Sequence, residues 1–368
     1  MGSPGAVSTA DARAALIATL EKQQMGCAGL GSAFYATLLG HLIDDAAAGG
    51  PVWDVLGPYA ETHFTAAYPL RLLGGMHRRV LAGDAPDLAA HYPSTGGDGD
   101  GDAAWPGFRA LLADGSPEVV DALRRPPQTN EVGRSASAIG GFLEVARATG
   151  LPVRVLEIGA SAGLNLRFDR FRYEQGDAGF GPLDAPVRFV DCWPDGAPPF
   201  AVPLEVVERA GCDVDPIDVA TEAGALILCS YVWPDPPERM ARLRAAIAVA
   251  RSVPATLDRA DAAEWLALRL AEPRPGVATV VFHSIMWQYL PEATRVAITA
   301  AVAAAGRVAT PDAPVAWLRL EPPLPAMTHS ELRLTLWTAP DTPTERYLAD
   351  AGFHLGPVHW HPNPDVRT

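Results

Sequence analysis

Positive charge is scarce in this chain: 29 lysines and arginines stand against 43 acidic residues, a formal net charge of -14. Affinity for nucleic acid comes mainly from clustered Lys and Arg, so a phosphate-backbone partner is not expected. Arg167, Arg170 and Arg172 make one local basic patch, whose ordinary reading is a solvated face. Cysteine is also sparse. Cys27, Cys192, Cys212 and Cys229 lie far apart, with no C-x-x-C pair and no histidine at finger spacing. Neither zinc nor a disulfide framework is indicated, and no metal is assigned. A basic stretch leading into an apolar segment is missing at the N-terminus, and no apolar run approaches the ~20 residues of a membrane helix. The expectation is a cytoplasmic protein with no membrane partner.

What is present is ordinary globular material. The 368 residues, 48% hydrophobic and 20% charged, suffice for a large core domain plus a smaller one, and 34 Gly with 35 Pro imply many turns. From residue 9 to about 42, leucines recur at helical spacing around a break at 26–31, and a second helical stretch runs over 52–80. The glycine- and aspartate-rich segment 91–104 superficially resembles a calcium loop. It lacks the distal glutamate of an EF-hand and reads as a flexible, solvated turn.

The pattern changes at residues 153–165, VRVLEIGASAGLN. A β-branched apolar run stops at small residues and resumes with Leu164 and Leu166, which predicts a buried strand, a tight turn and a helix start. Gly159 and Gly163 allow close approach of a ligand, the opening turn offers free N–H groups, and Glu157 is placed to accept hydrogen bonds from a ribose or amine. The same five residues, Gly159-Ala160-Ser161-Ala162-Gly163, also spell G-x-S-x-G, the turn that exposes a hydrolase serine. His354, His359 and His361 follow Ser161 in the order a triad needs, but the segment before the strand is helical where such a hydrolase has strands. A dinucleotide enzyme would carry the middle glycine of G-x-G-x-x-G, which is missing.

Downstream, strands are expected at 206–213, 255–259, 277–284 and 315–320, alternating with helices at 237–252, 262–270 and 292–305. A closing hairpin, 332–337 with 355–360, surrounds a short helix at 345–351, and 167–193 reads as irregular. Alternation of this kind means an open, mostly parallel sheet with ligands at the carboxyl ends of its strands. That puts Glu157, Gly159, Asp213, Asp261 and His283 on one rim. For a cofactor at the glycine loop, Asp213 or Asp215 supplies the ribose acid, and Asp261 with Ala262 the adenine site. The polar run 124–134 holds Asn130, Glu131 and Arg134; either it folds over a ligand, or Thr129 or Asn130 caps the helix 135–149 with Glu131 completing the cap.

The blocks QTNEVGR (128–134), LEIGASAGLNL (156–166), SYVWPD (230–235) and VFHSIMWQYL (281–290) together resemble the domain of unknown function 2332 family. The order of elements also resembles class I methyltransferases that use S-adenosylmethionine. That resemblance implies a Rossmann-like α/β core over 128–368, with an insertion at about 167–203, after a helical N-terminal region over 1–127. Carried over by position, it implies that Glu157, Gly159, Ser161 and Gly163 form the first cofactor motif, with Asp213, Asp261 and Ala262 completing the site. His283 falls beside the transferred methyl, where it is the candidate base, and Trp287, Tyr289 and Trp233 offer aromatic faces to a sulfonium or cationic substrate. The expected function is methyl transfer to a small molecule. A binding protein that kept the fold without the reaction and a serine hydrolase acting through Ser161 are the other two readings.

Overall fold

Leu16, Leu20, Leu38 and Leu42 fall on helical spacing, and burying that stripe organises the first part of the chain. In the computed structural model, which describes residues 8–235, 237–325 and 327–361, it forms α1 (Thr9–Gly29), α2 (Ala33–Ala48), α3 (Pro51–Leu56), α4 (Tyr68–Ala82), α5 (Pro86–Ala89), α6 (Gly101–Ala113) and α7 (Pro117–Leu123). Ser8 caps α1 by accepting from the Asp11 N–H, and Ser32 caps α2 by accepting from Tyr35. The 91–104 segment is more ordered than a solvated turn. His91 Nδ1 lies 3.0 Å from an Asp98 oxygen, and Asp100 caps α6 by accepting from the Ala103 N–H at 2.9 Å.

The rest of the chain runs through α8 (Arg134–Thr149), β1 (Val153–Ile158), β2 (Arg172–Gln175), β3 (Ala178–Phe180), β4 (Arg188–Val190), β5 (Val206–Asp213), α9 (Glu222–Ser230) and α10 (Pro237–Ser252). It continues with β6 (Thr256–Arg259), α11 (Ala262–Arg269), β7 (Ala278–Ser284), α12 (Glu292–Arg307), β8 (Val315–Glu321), β9 (Ser330–Trp337), β10 (Pro343–Ala351) and β11 (Val358–Trp360). Contacts divide the chain into two compact units. One joins the residues up to Thr129 with Thr221–Arg244; the other joins Asn130–Ala220 with the residues from Ala245 onward.

In the first unit a core including Leu38, Leu72, Met76 and Phe108 also takes in Trp233, which is therefore packing material and not an open aromatic face. The returning segment 221–244 is tied in by polar contacts as well. His77 is buried with Nδ1 3.1 Å from the Ser230 carbonyl oxygen, and the Asp235 carboxylate accepts from Ser32 Oγ and the Phe34 N–H.

The second unit is mixed α/β, built on an eight-stranded sheet in the order β11-β10-β9-β8-β7-β1-β5-β6. The run from β8 to β6 is parallel, and β9, β10 and β11 are each antiparallel to their neighbours. β1, buried along its whole length, lies between β5 and β7, so chain order reverses at its carboxyl end. On one face, α8 stacks Phe142 on Phe168 with ring centroids 3.9 Å apart and meets Phe282 at 5.3 Å. A second cluster joins Leu156, Ile158, Val281 and Trp317 of the sheet to Leu266 of α11 and to Ile298 and Val302 of α12.

Three expectations are corrected, the first being the closing hairpin: 332–337 pairs within 343–351, not with 355–360, and 358–360 pairs on the other side of 343–351. The expected helix at 345–351 is the strand β10, paired with β9 from Pro343 to Ala351, because backbone pairing and a buried side override the helical preference of Glu, Arg, Leu and Ala. The segment after the glycine loop is not irregular. It forms a three-stranded sheet, β3-β2-β4, over an aromatic cluster in which Tyr173 stacks on Phe189 at 5.3 Å and Trp193 meets Phe200 at 5.1 Å. No helix among the described residues is long and apolar enough to cross a membrane.

Candidate functional site

The carboxyl ends of β1, β5, β7 and β8 collect most of the singled-out residues. β1 ends in a turn with three left-handed residues, Gly159 (φ 64°), Ser161 (φ 53°) and Gly163 (φ 66°). Glycine avoids the steric cost of such angles, whereas Ser161 bears it and is held by its neighbours. Its N–H donates to Asp213 Oδ2 at 2.9 Å, and its carbonyl accepts from Ile217 at 3.2 Å.

The free N–H groups expected here are mostly occupied. Ala160 donates to the Cys212 carbonyl (3.0 Å), Gly163 to Ala160 (2.7 Å), Leu166 to Gly163 (3.2 Å), and Leu164 to Asn130 Oδ1 (2.7 Å). The turn opens into a 3-10 helix, Leu164–Arg170, so its amides point into the protein's own acceptors. A Cβ on Gly159 would come 3.0 Å from the Met286 side chain, which packs over the turn.

Asn130 and Glu131 are not side-chain caps of α8. Gly133 is the N-cap and has no capping side chain of its own, while Asn130 reaches Leu164 and the Glu131 carboxylate accepts from the Gly133 N–H at 2.9 Å. Glu131 Oε2 also lies 3.2 Å from His354 Nδ1, and its carbonyl accepts from Asn165 Nδ2 at 3.3 Å. The polar run therefore braces the glycine turn. Arg134 donates to the Ser284 carbonyl at 3.0 Å, linking α8 to the end of β7.

Glu157 is 2% exposed, and its Oε2 has no hydrogen-bond partner among the described residues. Burial pushes its carboxyl up to about 8, against the pull of Arg167 and Arg134 and with a further push from Asp213. Near neutrality it is largely a protonated acid, able to donate as well as accept. Asp213 is already engaged at both oxygens, by the N–H groups of Ser161 and Asp215, each at 2.9 Å. A carboxylate oxygen has two lone pairs, so each keeps room for one more donor.

His283 occupies the same rim but the other face. Glu157 is paired across the sheet with Phe282, and the pleat turns the next residue to the opposite side. There His283 stacks on Trp287 at 5.1 Å and 14°, with Trp317 at 6.0 Å. Its Nδ1 is 2.6 Å from Glu321 Oε1, and its buried Nε2 has no hydrogen-bond partner among the described residues. The sequence reading missed Glu321, which also accepts from the Met286 and Trp287 N–H groups at 3.2 and 3.4 Å. A carboxylate directly after the last buried residue of a strand, Leu320, was its available signal. Tyr289, 62% exposed, stands at the surface.

The remaining candidates lie apart from these contacts. Asp261 caps α11, accepting from the Ala263 and Glu264 N–H groups at 2.8 and 3.2 Å, while Ala262 packs in the core. Arg167 is buried, donating to the carbonyls of Gly163 (2.6 Å) and Val253 (3.0 Å), and Arg172 pairs with Glu174, so the arginine patch is not a uniformly solvated face. His359 and His361 face Asp195 and Asp350.

Neither a curated protein nor a solved structure matches the chain at a significant level. The family described as "uncharacterized protein conserved in bacteria (DUF2332)" matches residues 18–360, and the chain belongs to that family.

Proposed function

We propose that the protein is an S-adenosylmethionine-dependent methyltransferase acting on a small molecule. The observation that carries this reading is the reversal of strand order at β1, where an acid-ended central strand meets a left-handed turn between two parallel neighbours. Ligands of open α/β sheets bind at such a crevice. Among the chain's own groups, the unpartnered Glu157 Oε2 and the remaining lone pairs of Asp213 suit ribose hydroxyls. Gly159, Ser161 and Gly163 form the turn, and Asp261 with Ala262 starts α11 beyond β6. Met286 is flexible and swings off Gly159 when the site fills.

The bound cofactor would supply an electrophilic methyl group. His283 takes the acceptor's proton at Nε2, because Glu321 holds Nδ1 and stabilises the imidazolium. Access to Nε2 requires movement of the Trp287–Tyr289 turn, whose tryptophan lies on the imidazole. Asn130, Glu131 and Arg134 support the turn from the α8 side, with Arg134 nearest the strand ends for an acceptor's negative charge.

Calorimetric titration with S-adenosylmethionine and S-adenosylhomocysteine tests this reading. Saturable binding weakened by Glu157→Ala supports it; no saturable heat from either ligand rejects it. Binding without transfer to any acceptor would favour a non-catalytic ligand-binding protein, the reading to which Met286 and the occupied turn amides lend weight. The left-handed backbone of Ser161 favours a serine hydrolase instead if a fluorophosphonate labels the wild type and not Ser161→Ala.

A further inference from the structure

At the antiparallel edge of the large sheet, β9 and β10 bring together side chains that the proposed function does not use. Glu331 is paired across the strands with Asp350, and His329 stands two residues before Glu331, on the same side of the pleat. His329 Nε2 is 3.0 Å from Asp350 Oδ1 and 3.9 Å from Glu331 Oε1, and one donor atom from each of the three lies within 4.8 Å of the others. One ring nitrogen therefore faces two carboxylate oxygens, only one of them within hydrogen-bonding distance. A cation among the three satisfies all of them. In a tetrahedral site with bonds of about 2.0–2.2 Å, donor atoms sit about 3.3–3.6 Å apart, so closing this set needs shifts well under an ångström for the two His329 contacts.

The carboxylates are already oriented. The Tyr347 hydroxyl donates to Asp350 Oδ1, His361 Nε2 lies 3.3 Å from Asp350 Oδ2, and Arg333 donates to Glu331 Oε2 at 2.6 Å. Partners that fix ligating carboxylates are characteristic of metal centres; here His361 and Arg333 hold the outer oxygens, while Tyr347 shares the Asp350 oxygen that faces His329. His329 is 40% exposed, which leaves solvent room to complete the coordination.

We infer that His329, Glu331 and Asp350 bind a divalent transition-metal ion of borderline softness such as Zn2+, with His361 and Tyr347 positioning Asp350. Mixed imidazole and carboxylate donors select Zn2+, Co2+ or Ni2+ over Ca2+ and Mg2+. This site is independent of the proposed methyl transfer.

Calorimetric titration of ZnCl2 into the full-length, metal-stripped protein tests it, with Co2+ absorbance as a second readout. The wild type takes up one saturable equivalent and gives visible cobalt bands. His329→Ala and Glu331→Gln each lose the bands and weaken zinc at least about tenfold, the lower end of what even outer-shell changes cost. His41→Ala, altering a partly exposed histidine of the helical unit that faces Asp102, leaves both readouts unchanged. Circular dichroism confirms that each variant is folded, and the near-isosteric Glu331→Gln keeps the test valid should His329→Ala unfold. No saturable equivalent, or one that survives both changes, overturns the inference.

Discussion

Glu157 holds its proton toward neutrality because it ends a fully buried strand, where the charged form loses its hydration. Its folded pKa, about 8 against an ordinary 4.5, means that the native state binds the proton more tightly than the unfolded chain. The resulting stability is complete below the unfolded value and is lost as pH rises through the folded one. Glu157→Gln keeps the shape and removes the titration. Urea unfolding across this range should therefore show the wild type weakening toward alkaline pH and the variant losing that slope; parallel profiles would contradict the assignment. Thiol chemistry gives a second residue-scale outcome. Burial raises the pKa of Cys27, Cys212 and Cys229, whereas Cys192 is only half-buried. A thiol reagent on the native protein should modify Cys192 first, with the other three reacting only on unfolding, as peptide mapping would reveal.

At the scale of elements, α8 depends on close approach to the sheet. A Cβ on Gly140 would sit 2.3 Å from the Trp360 ring of β11, a rigid and buried neighbour. Alanine gains about 1 kcal/mol of helix propensity. Overpacking costs about 1–3 kcal/mol, so Gly140→Ala should lower the melting temperature, by calorimetry, rather than raise it. The parallel strands were legible because β1 and β7 are short, largely apolar and β-branched runs that stop at small or turn-forming residues. β10 was not: PTERYLADA carries helix formers, and only its pairing with β9 fixes it as a strand. Pairing also hides His329, Glu331 and Asp350, since the approach of Asp350 to Glu331 depends on a register no spacing rule reveals. The glycine turn was recognisable from its small residues. Its amide partners were not, because Asn130 lies 34 positions before Leu164.

For the whole molecule, the helical unit is discontinuous in sequence. Segment 221–244 supplies Trp233 to its core and the Ser230 carbonyl to buried His77. A fragment ending at Thr129 leaves that core open and keeps only the Ser94 contact of the His77 imidazole, and should fail to show a cooperative thermal transition by circular dichroism. The net charge of -14 weighs against a phosphate-backbone partner. The most direct test is a crystal structure of the full chain soaked with S-adenosylhomocysteine. The account predicts the adenosyl group against residues 159–163, its ribose within hydrogen-bonding distance of Glu157 or Asp213 and Met286 displaced from Gly159. A saturated soak that leaves Met286 packed on Gly159, with the ligand absent or bound elsewhere, would contradict it.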